Sequence, residues 1–293
     1  MANPWSKISS RHAPGRKPFS ALLLALILIA ALYAQKPFRV YISMEGYDNI
    51  PLPPDYKEPG EWVEARLMYP QHPNARFSRW GRWGGLPDWR EGGTSWTQDY
   101  PRADRHFAAA VRRLTRVNAR SSEQPVNPDD ADDFFNWPWL VAGEMGDWRL
   151  TDSQVKIVRE FLLRGGFIYM DDFWNDDEWD RFDETMHKIF PDRPVVEIAD
   201  DDPIFHSVYD LKDRYQILGQ WALRRGGMSQ RAEGTVPHWR GIYDEKGRLM
   251  VAMTFNNDVG DSWEFADDPR YPEKFSALGI RLGVNYVVYS MTH

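Results

Sequence analysis

Asp171 and Asp172 leave the end of an apolar run together in GGFIYMDDFWNDDEWD, residues 165–180, and a second acidic cluster follows at once. Paired carboxyls can accept hydrogen bonds from a ligand, hold a cation, or act as acid and base in hydrolysis. They can equally cap neighbouring backbone N–H groups, and both roles are open to this pair. Side chains at a strand end alternate in direction, so one of the two is expected to face a crevice while its neighbour caps the next turn. Trp174 stands beside them as a further ligand-binding candidate. Asp176, Asp177 and Glu178 have a simpler purpose, because acids in a first helical turn complement the helix dipole.

Other polar groups accompany the pair. Asp99 and Tyr100 precede a helical pattern in SWTQDYPRADRHF, with His106 in its first turn, and Asp99 could serve as a helix cap. Glu144 ends WPWLVAGE, and His206 sits in DDPIFHSVYDL. Asp258 and Asp261 lie in FNNDVGDSWEFADD, after an apolar run ending at Phe255, together with Asn257, Trp263 and Glu264. Ten residues thus form the candidate ligand-binding set: Asp171, Asp172, Trp174, Asp99, Tyr100, His106, Glu144, His206, Asp258 and Asp261.

Several chemistries find no motif. The chain has no cysteine, which removes disulfides, thiolate nucleophiles and cysteine metal sites. A calcium loop begun at Asp176 lacks its glycine, and no H-E-x-x-H occurs, so no metal site is expected. The G-x-S-x-G elbow, the Walker loop and G-x-G-x-x-G are absent, and no cofactor is expected. Glycoside hydrolysis by two carboxyls needs a fixed separation that spacing along a chain does not give.

The elements that must position these groups alternate in type. WVEARLMY (62–69) reads as a first strand, and a long loop rich in Arg, Trp and Gly follows. RADRHFAAAVRRLTRV reads as an amphipathic helix with Phe107, Ala110, Val111, Leu114 and Val117 on one face. WPWLVAGE reads as a buried strand, then Thr151 and Gln154 form a capping box for a helix stopped by Gly165 and Gly166. FIYM is an interior strand, and the next helix carries a stripe of Trp179, Phe182, Met186 and Ile189. PVVEIA (194–199) predicts a strand, HWRGIYDEKGRLMVAMTF a hairpin turning at Glu245–Gly247, and Phe275, Leu278, Leu282 and Tyr286 a closing helix. Strands alternating with helices of this length predict a mostly parallel sheet covered on both faces, with an antiparallel extension.

The first 34 residues carry Lys7, Arg11, Arg16 and Lys17 and no acid, ahead of the apolar stretch Phe19–Ala34. That stretch is short of the roughly 20 residues of a spanning helix and suits a signal peptide. Leu32 fits poorly before a cut after Ala34, so an uncleaved signal-anchor is the alternative. Either way residues 1–35 predict export, with the body on the periplasmic side of the cytoplasmic membrane, anchored or released. Residues 36–60 contain IPLPPDYKEPGE and predict a proline-rich extended linker. Residues 61–293 form the single α/β domain. The net charge of -7 without a basic stripe argues against nucleic-acid binding.

Taken together, WVEARLMYP, WTQDYPRADRHFAAAVRRLTRVNARS, FLLRGGFIYMDDFW, FPDRPVVEIADDDPIFHSVYDL and the closing DVGDSWEFADDPRYPEKFSALGIRLGVNYVVYSMTH resemble the bacterial family catalogued as domain of unknown function 4159. The resemblance runs from about residue 61 to the C-terminus. It implies a membrane-attached or secreted protein with a three-layer, flavodoxin-like sheet, distantly similar to class I glutamine-amidotransferase-like domains and their trehalose-utilisation (ThuA-like) branch. Amidotransferases carry a cysteine at a strand–helix elbow, which here falls near MDDFW, where none exists. The resemblance therefore implies no catalytic residue. The expected function is a non-catalytic domain at the cell envelope that binds a glycan or another envelope protein. The alternative is a carboxylate-dependent hydrolase of a carbohydrate or envelope glycan, using Asp171, Asp172 and Glu144 or Asp261. A third reading is a purely structural partner in a membrane complex.

Overall fold

Phe167 to Met170 has no polar face, which is what a strand requires when both its sides are covered. In the computed structural model, which describes residues 38–47, 49–75, 88–226 and 234–293, this strand is the centre of a seven-stranded sheet. In chain order the elements are β1 (Ala65–Leu67), α1 (Arg102–Leu114), β2 (Gln124–Val126), α2 (Ala131–Phe134), β3 (Trp139–Ala142), α3 (Asp152–Leu163), β4 (Phe167–Met170), α4 (Asn175–Ile189), β5 (Val196–Glu197), α5 (Gln220–Arg224), β6 (His238–Tyr243), β7 (Leu249–Phe255), α6 (Val259–Glu264) and α7 (Glu273–Thr292).

The strand order is β2-β1-β3-β4-β7-β6-β5. β2, β1, β3, β4 and β7 run parallel, while β6 is antiparallel to both β7 and β5. The fold is therefore a flavodoxin-like α/β sheet with an antiparallel extension. Side chains of the central strands alternate between two cores. Ile168 and Met170 meet α3 and α4 on one face, through Val158, Phe161, Phe182 and Met186. Phe167 and Tyr169 meet α1, α6 and α7 on the other, through Phe107, Trp263, Leu282 and Tyr286.

Close helix approach on that second face depends on two glycines of α7. A Cβ on Gly283 would stand 2.5 Å from the Phe107 ring and 2.8 Å from Trp263, and one on Gly279 would overlap the Ser262 hydroxyl. On the first face, α3 starts at the expected capping box. Thr151 Oγ1 accepts from Gln154 N at 3.4 Å, and Gln154 Oε1 accepts from Thr151 N at 2.9 Å.

Several expectations change. β2, with Pro125 at its middle, escapes the reading of the sequence; proline is tolerated because this strand lies at the sheet edge. The four-residue α2 also has too little periodicity to be seen. PVVEIA yields only the two-residue edge strand β5, whose side chains are exposed. Leu114, assigned to the apolar stripe of α1, is 45% exposed, because the buried face is set by Ala103, Phe107, Ala108 and Val111.

Residues 38–60 do not stand off as a tether, because hydrogen bonds fix their backbone against the body. They belong to the same compact unit, Phe38–His293, as the sheet. Ile42 bridges to Gly92, the carbonyls of Ile50 and Pro51 accept from Arg105, and the Tyr56 carbonyl accepts from Ser122. The Phe19–Ala34 stretch lies outside the described residues, as does part of the Arg- and Trp-rich loop (76–87). Among the described residues no helix is long and apolar enough to cross a membrane.

Candidate functional site

Ligands of open α/β sheets bind beyond the carboxyl ends of parallel strands, because the loops there converge while the helices cover the faces. In this chain the ends of β4 and β7, side by side, carry Asp171, Asp172 and Asp258. α6 begins directly after β7, so Gly260 N is turned towards β4 and donates to Asp171 Oδ2 at 2.7 Å. Thr254 of β7 donates to Asp171 Oδ1, and the Tyr169 hydroxyl lies 2.8 Å from Thr254 Oγ1. Burial first, and Asp172 second, push the Asp171 carboxyl up to about 7.

Asp172 takes a left-handed backbone, φ 52°, which reverses the chain and lets its Oδ1 accept from the Trp174 indole N–H at 2.6 Å. The Trp174 ring is wholly buried, so it is a structural wedge with no face for a ligand. Trp174 N in turn donates to Glu178 at 2.8 Å, which shows what the third acid of NDDE does; Asp176 and Asp177 are exposed.

Asp258 caps α6, its Oδ1 accepting from Asp261 N at 2.9 Å. Asp261 Oδ2 accepts from Gln220 N at 2.5 Å, joining α5 to the same corner. Gly219 is required here, since any Cβ would overlap the Asp258 carboxylate and come within 2.9 Å of Asp261 Oδ2. Burial and the neighbouring acids, Asp172 first, raise Asp258 well above the ordinary range, and burial with Asp172 raises Asp261 to about 6.

Asp99 arrives from the loop before α1, with φ 60°. Its carboxyl does not cap the helix; its backbone carbonyl accepts from Ala103 N instead. The side chain is 5% exposed, its Oδ1 has no hydrogen-bond partner, and it faces the acids. Burial, then Asp261, Glu264 and Glu45, raise it well above the usual carboxyl range.

Two further acids complete the crevice. Glu45, from residues 38–60, accepts from Asp99 N and Gln98 Nε2, both at 2.8 Å. Glu264, at the end of α6, is fully buried, with Tyr47 and Asp261 as the side chains beside its carboxyl. Burial, then Glu45 and Asp261, push Glu264 up to about 10. In the sequence Glu264 is one acid among several after Phe255, and Glu45 lies in a stretch that reads as a spacer. Thr254 gave no signal, being one residue of an apolar strand.

The remaining candidates have other partners. Tyr100 is buried among Trp96 and Tyr41, and its hydroxyl accepts from Tyr41 N at 3.1 Å. His106 Nδ1 donates to the carbonyls of Trp263 and Glu264 at 3.0 and 3.1 Å, behind the acids. Glu144 lies two residues past β3 with φ 51°, and the carbonyls of Gly143 and Glu144 accept from the Tyr69 hydroxyl. His206 is bound to the Asp200 carbonyl at 2.8 Å and to Asp210 at 2.9 Å, in a segment packed on α7. Of the Trp-rich loop, Trp89 and Trp96 are buried. Trp221 was not singled out by the sequence, yet its ring is 57% exposed on α5, next to Gln220.

The fold and this corner define a class: an open, flavodoxin-like α/β protein whose parallel strands end in a nest of buried carboxyls. The family described as Domain of unknown function (DUF4159) matches residues 87–291, and the chain belongs to it. No curated protein matches the chain.

Proposed function

We propose that the protein is a glycan-binding domain of the cell envelope, held there by its N-terminal segment, with the crevice beyond β4 and β7 as its binding site. The observation that carries this reading is the juxtaposition of the carboxyls with an exposed aromatic ring. Asp261 is hydrogen-bonded to Gln220, and the next residue, Trp221, presents its ring to solvent with Arg224 and Arg225 at 5.9 and 5.8 Å from its centroid. An apolar ring face suits the C–H face of a sugar, and carboxyls accept from its hydroxyls. We read the fold as a distant relative of class I amidotransferase-like and ThuA-like domains in which Asp171 and Asp172 occupy the elbow. Asp171 is fixed by Thr254 and Gly260, which supports a positioning and binding role there.

The test is binding of isolated envelope glycan fragments to the full chain by calorimetry, with product analysis in the same samples. Trp221→Ala and Asp171→Asn are expected to weaken binding at least tenfold, with the glycan recovered intact. A reporter fused after residue 38 is expected to lie outside the cytoplasm. Second, the hydrolase reading has one observation in its favour, an Asp171 carboxyl raised to about 7 among other acids. Glycan turnover that disappears in Asp171→Asn would replace the binding reading with it.

A further inference from the structure

Asp99 joins two trios of carboxyls. One is Asp99, Asp258 and Asp261; the other is Asp99, Glu45 and Glu264. Within each trio the facing oxygens all lie within 4.8 Å of one another. Oxygens on opposite sides of a cation bound at about 2.4 Å stand about 4.8 Å apart, so each trio has the span of one coordination shell. We propose that this Asp99-centred nest is a binding site for a hard divalent cation of the calcium, magnesium or manganese class, with Asp99 as the shared ligand. The inference deepens the glycan-binding reading and rests on the same crevice.

Without a cation these acids are driven to hold protons, as their raised carboxyls show, and basic side chains do not neutralise them. Among the described residues none of these five acids forms an ion pair with Lys, Arg or His. The buried guanidinium of Arg66, which feels Asp99, is committed to Asp104 through two hydrogen bonds, at 2.7 and 3.0 Å. The unpartnered atom points the same way. Asp99 Oδ1 is buried and has no donor, although buried polar atoms in folded proteins are nearly always satisfied, and the buried Glu264 carboxyl has only Tyr47 and another acid, Asp261, beside it. A cation between them would satisfy Asp99 Oδ1 and separate the facing acids. The donors are all oxygen, with no cysteine anywhere in the sequence and no histidine in either trio, which selects a hard ion over zinc or copper. The other polar contacts of the trios hold the ligands in place: Gln220 N on Asp261, Asp261 N on Asp258, and Asp99 N on Glu45.

The test uses the full chain in detergent, stripped with a chelator and titrated calorimetrically at pH 7.5 with calcium, magnesium or manganese chloride alone. Saturable binding of one or two ions per chain is expected for at least one of the three. Asp99→Asn is expected to weaken it at least tenfold, and Glu264→Gln to weaken it while leaving the trio at Asp258 and Asp261. Glu184→Gln, a surface change on α4, is expected to bind as the parent does. Circular dichroism and the melting temperature in chelator separate lost binding from lost folding, and Asp99→Asn is expected to melt no lower than the parent. No saturable binding up to about 10 mM, beyond the weakest natural calcium modules, overturns the proposal. So does an Asp99→Asn protein that binds as well as Glu184→Gln. Glycan binding that still requires Trp221 in a protein that shows no saturable ion binding would overturn this inference and leave the glycan-binding reading intact.

Discussion

Asp171 reports on its surroundings more than on its own chemistry. Its two oxygens are held by Thr254 and Gly260, and Tyr169 completes the relay through the threonine hydroxyl. Thr254→Val keeps the shape and removes the hydroxyl, so the buried Tyr169 hydroxyl and one Asp171 oxygen lose their partner. A loss of about 1–3 kcal/mol is expected, measured by denaturant unfolding. The hydrogen bond from Thr254 also favours the charged carboxylate, so the same variant is expected to titrate Asp171 above its present value of about 7, followed by carboxyl carbon NMR. Residue types at this corner were legible in the sequence, and their partners were not. Spacing showed that Asp171 and Asp172 close a strand. Only the adjacency of β4 and β7 brings Thr254 and Gly260 to them, across 83 and 89 positions of chain.

Elements were read where their signals are local. The Thr151–Gln154 capping box, FIYM, the β6–β7 hairpin and the long α7 all carry signals within their own stretch of sequence, and all are present. Thr151→Ala is expected to cost about 1 kcal/mol, read as a lower unfolding midpoint with an unchanged slope. Gly283→Ala has a different cause. Helix propensity alone would make it stabilising, but the added methyl would meet the Phe107 ring and Trp263. Overpacking of this kind typically costs about 1–3 kcal/mol, so a net loss of stability is expected in the same experiment. β2 and β5 were misread or shortened because three residues with a proline, or two at an exposed edge, have no periodicity of their own. Sheet pairing makes them strands.

At the scale of the whole molecule, seven carboxyls share one corner: Glu45, Asp99, Asp171, Asp172, Asp258, Asp261 and Glu264. Asp171, Asp261 and Glu45 have folded values of about 7, 6 and 7 against ordinary values of 3.8, 3.8 and 4.5. The folded state therefore binds more protons than the unfolded state between about pH 4 and pH 7, and stability falls as pH rises through that window. The chelated protein is expected to melt at a higher temperature at pH 5 than at pH 8 in a calorimetric scan. A stability that instead rises across the window would contradict the raised values. Residues 38–60 belong to the same balance, since Glu45 fixes the backbone of Asp99 and Ile50 and Pro51 accept from Arg105. A chain starting at residue 61 is expected to melt several degrees below one starting at residue 38.

Local periodicity and composition are enough to place the alternation of strands and helices, the central buried strand, the closing helix and the acidity of the loops. The sequence also carried the family, through many ordered motifs spread over the domain. The tertiary structure alone decided that Asp99, Asp258 and Asp261 meet, that Glu45 and Glu264 join them, and that Trp174 is a wedge while Trp221 faces solvent. Those facts depend on strand order and loop closure between segments as much as 219 residues apart, Glu45 and Glu264, and no local pattern encodes such distances.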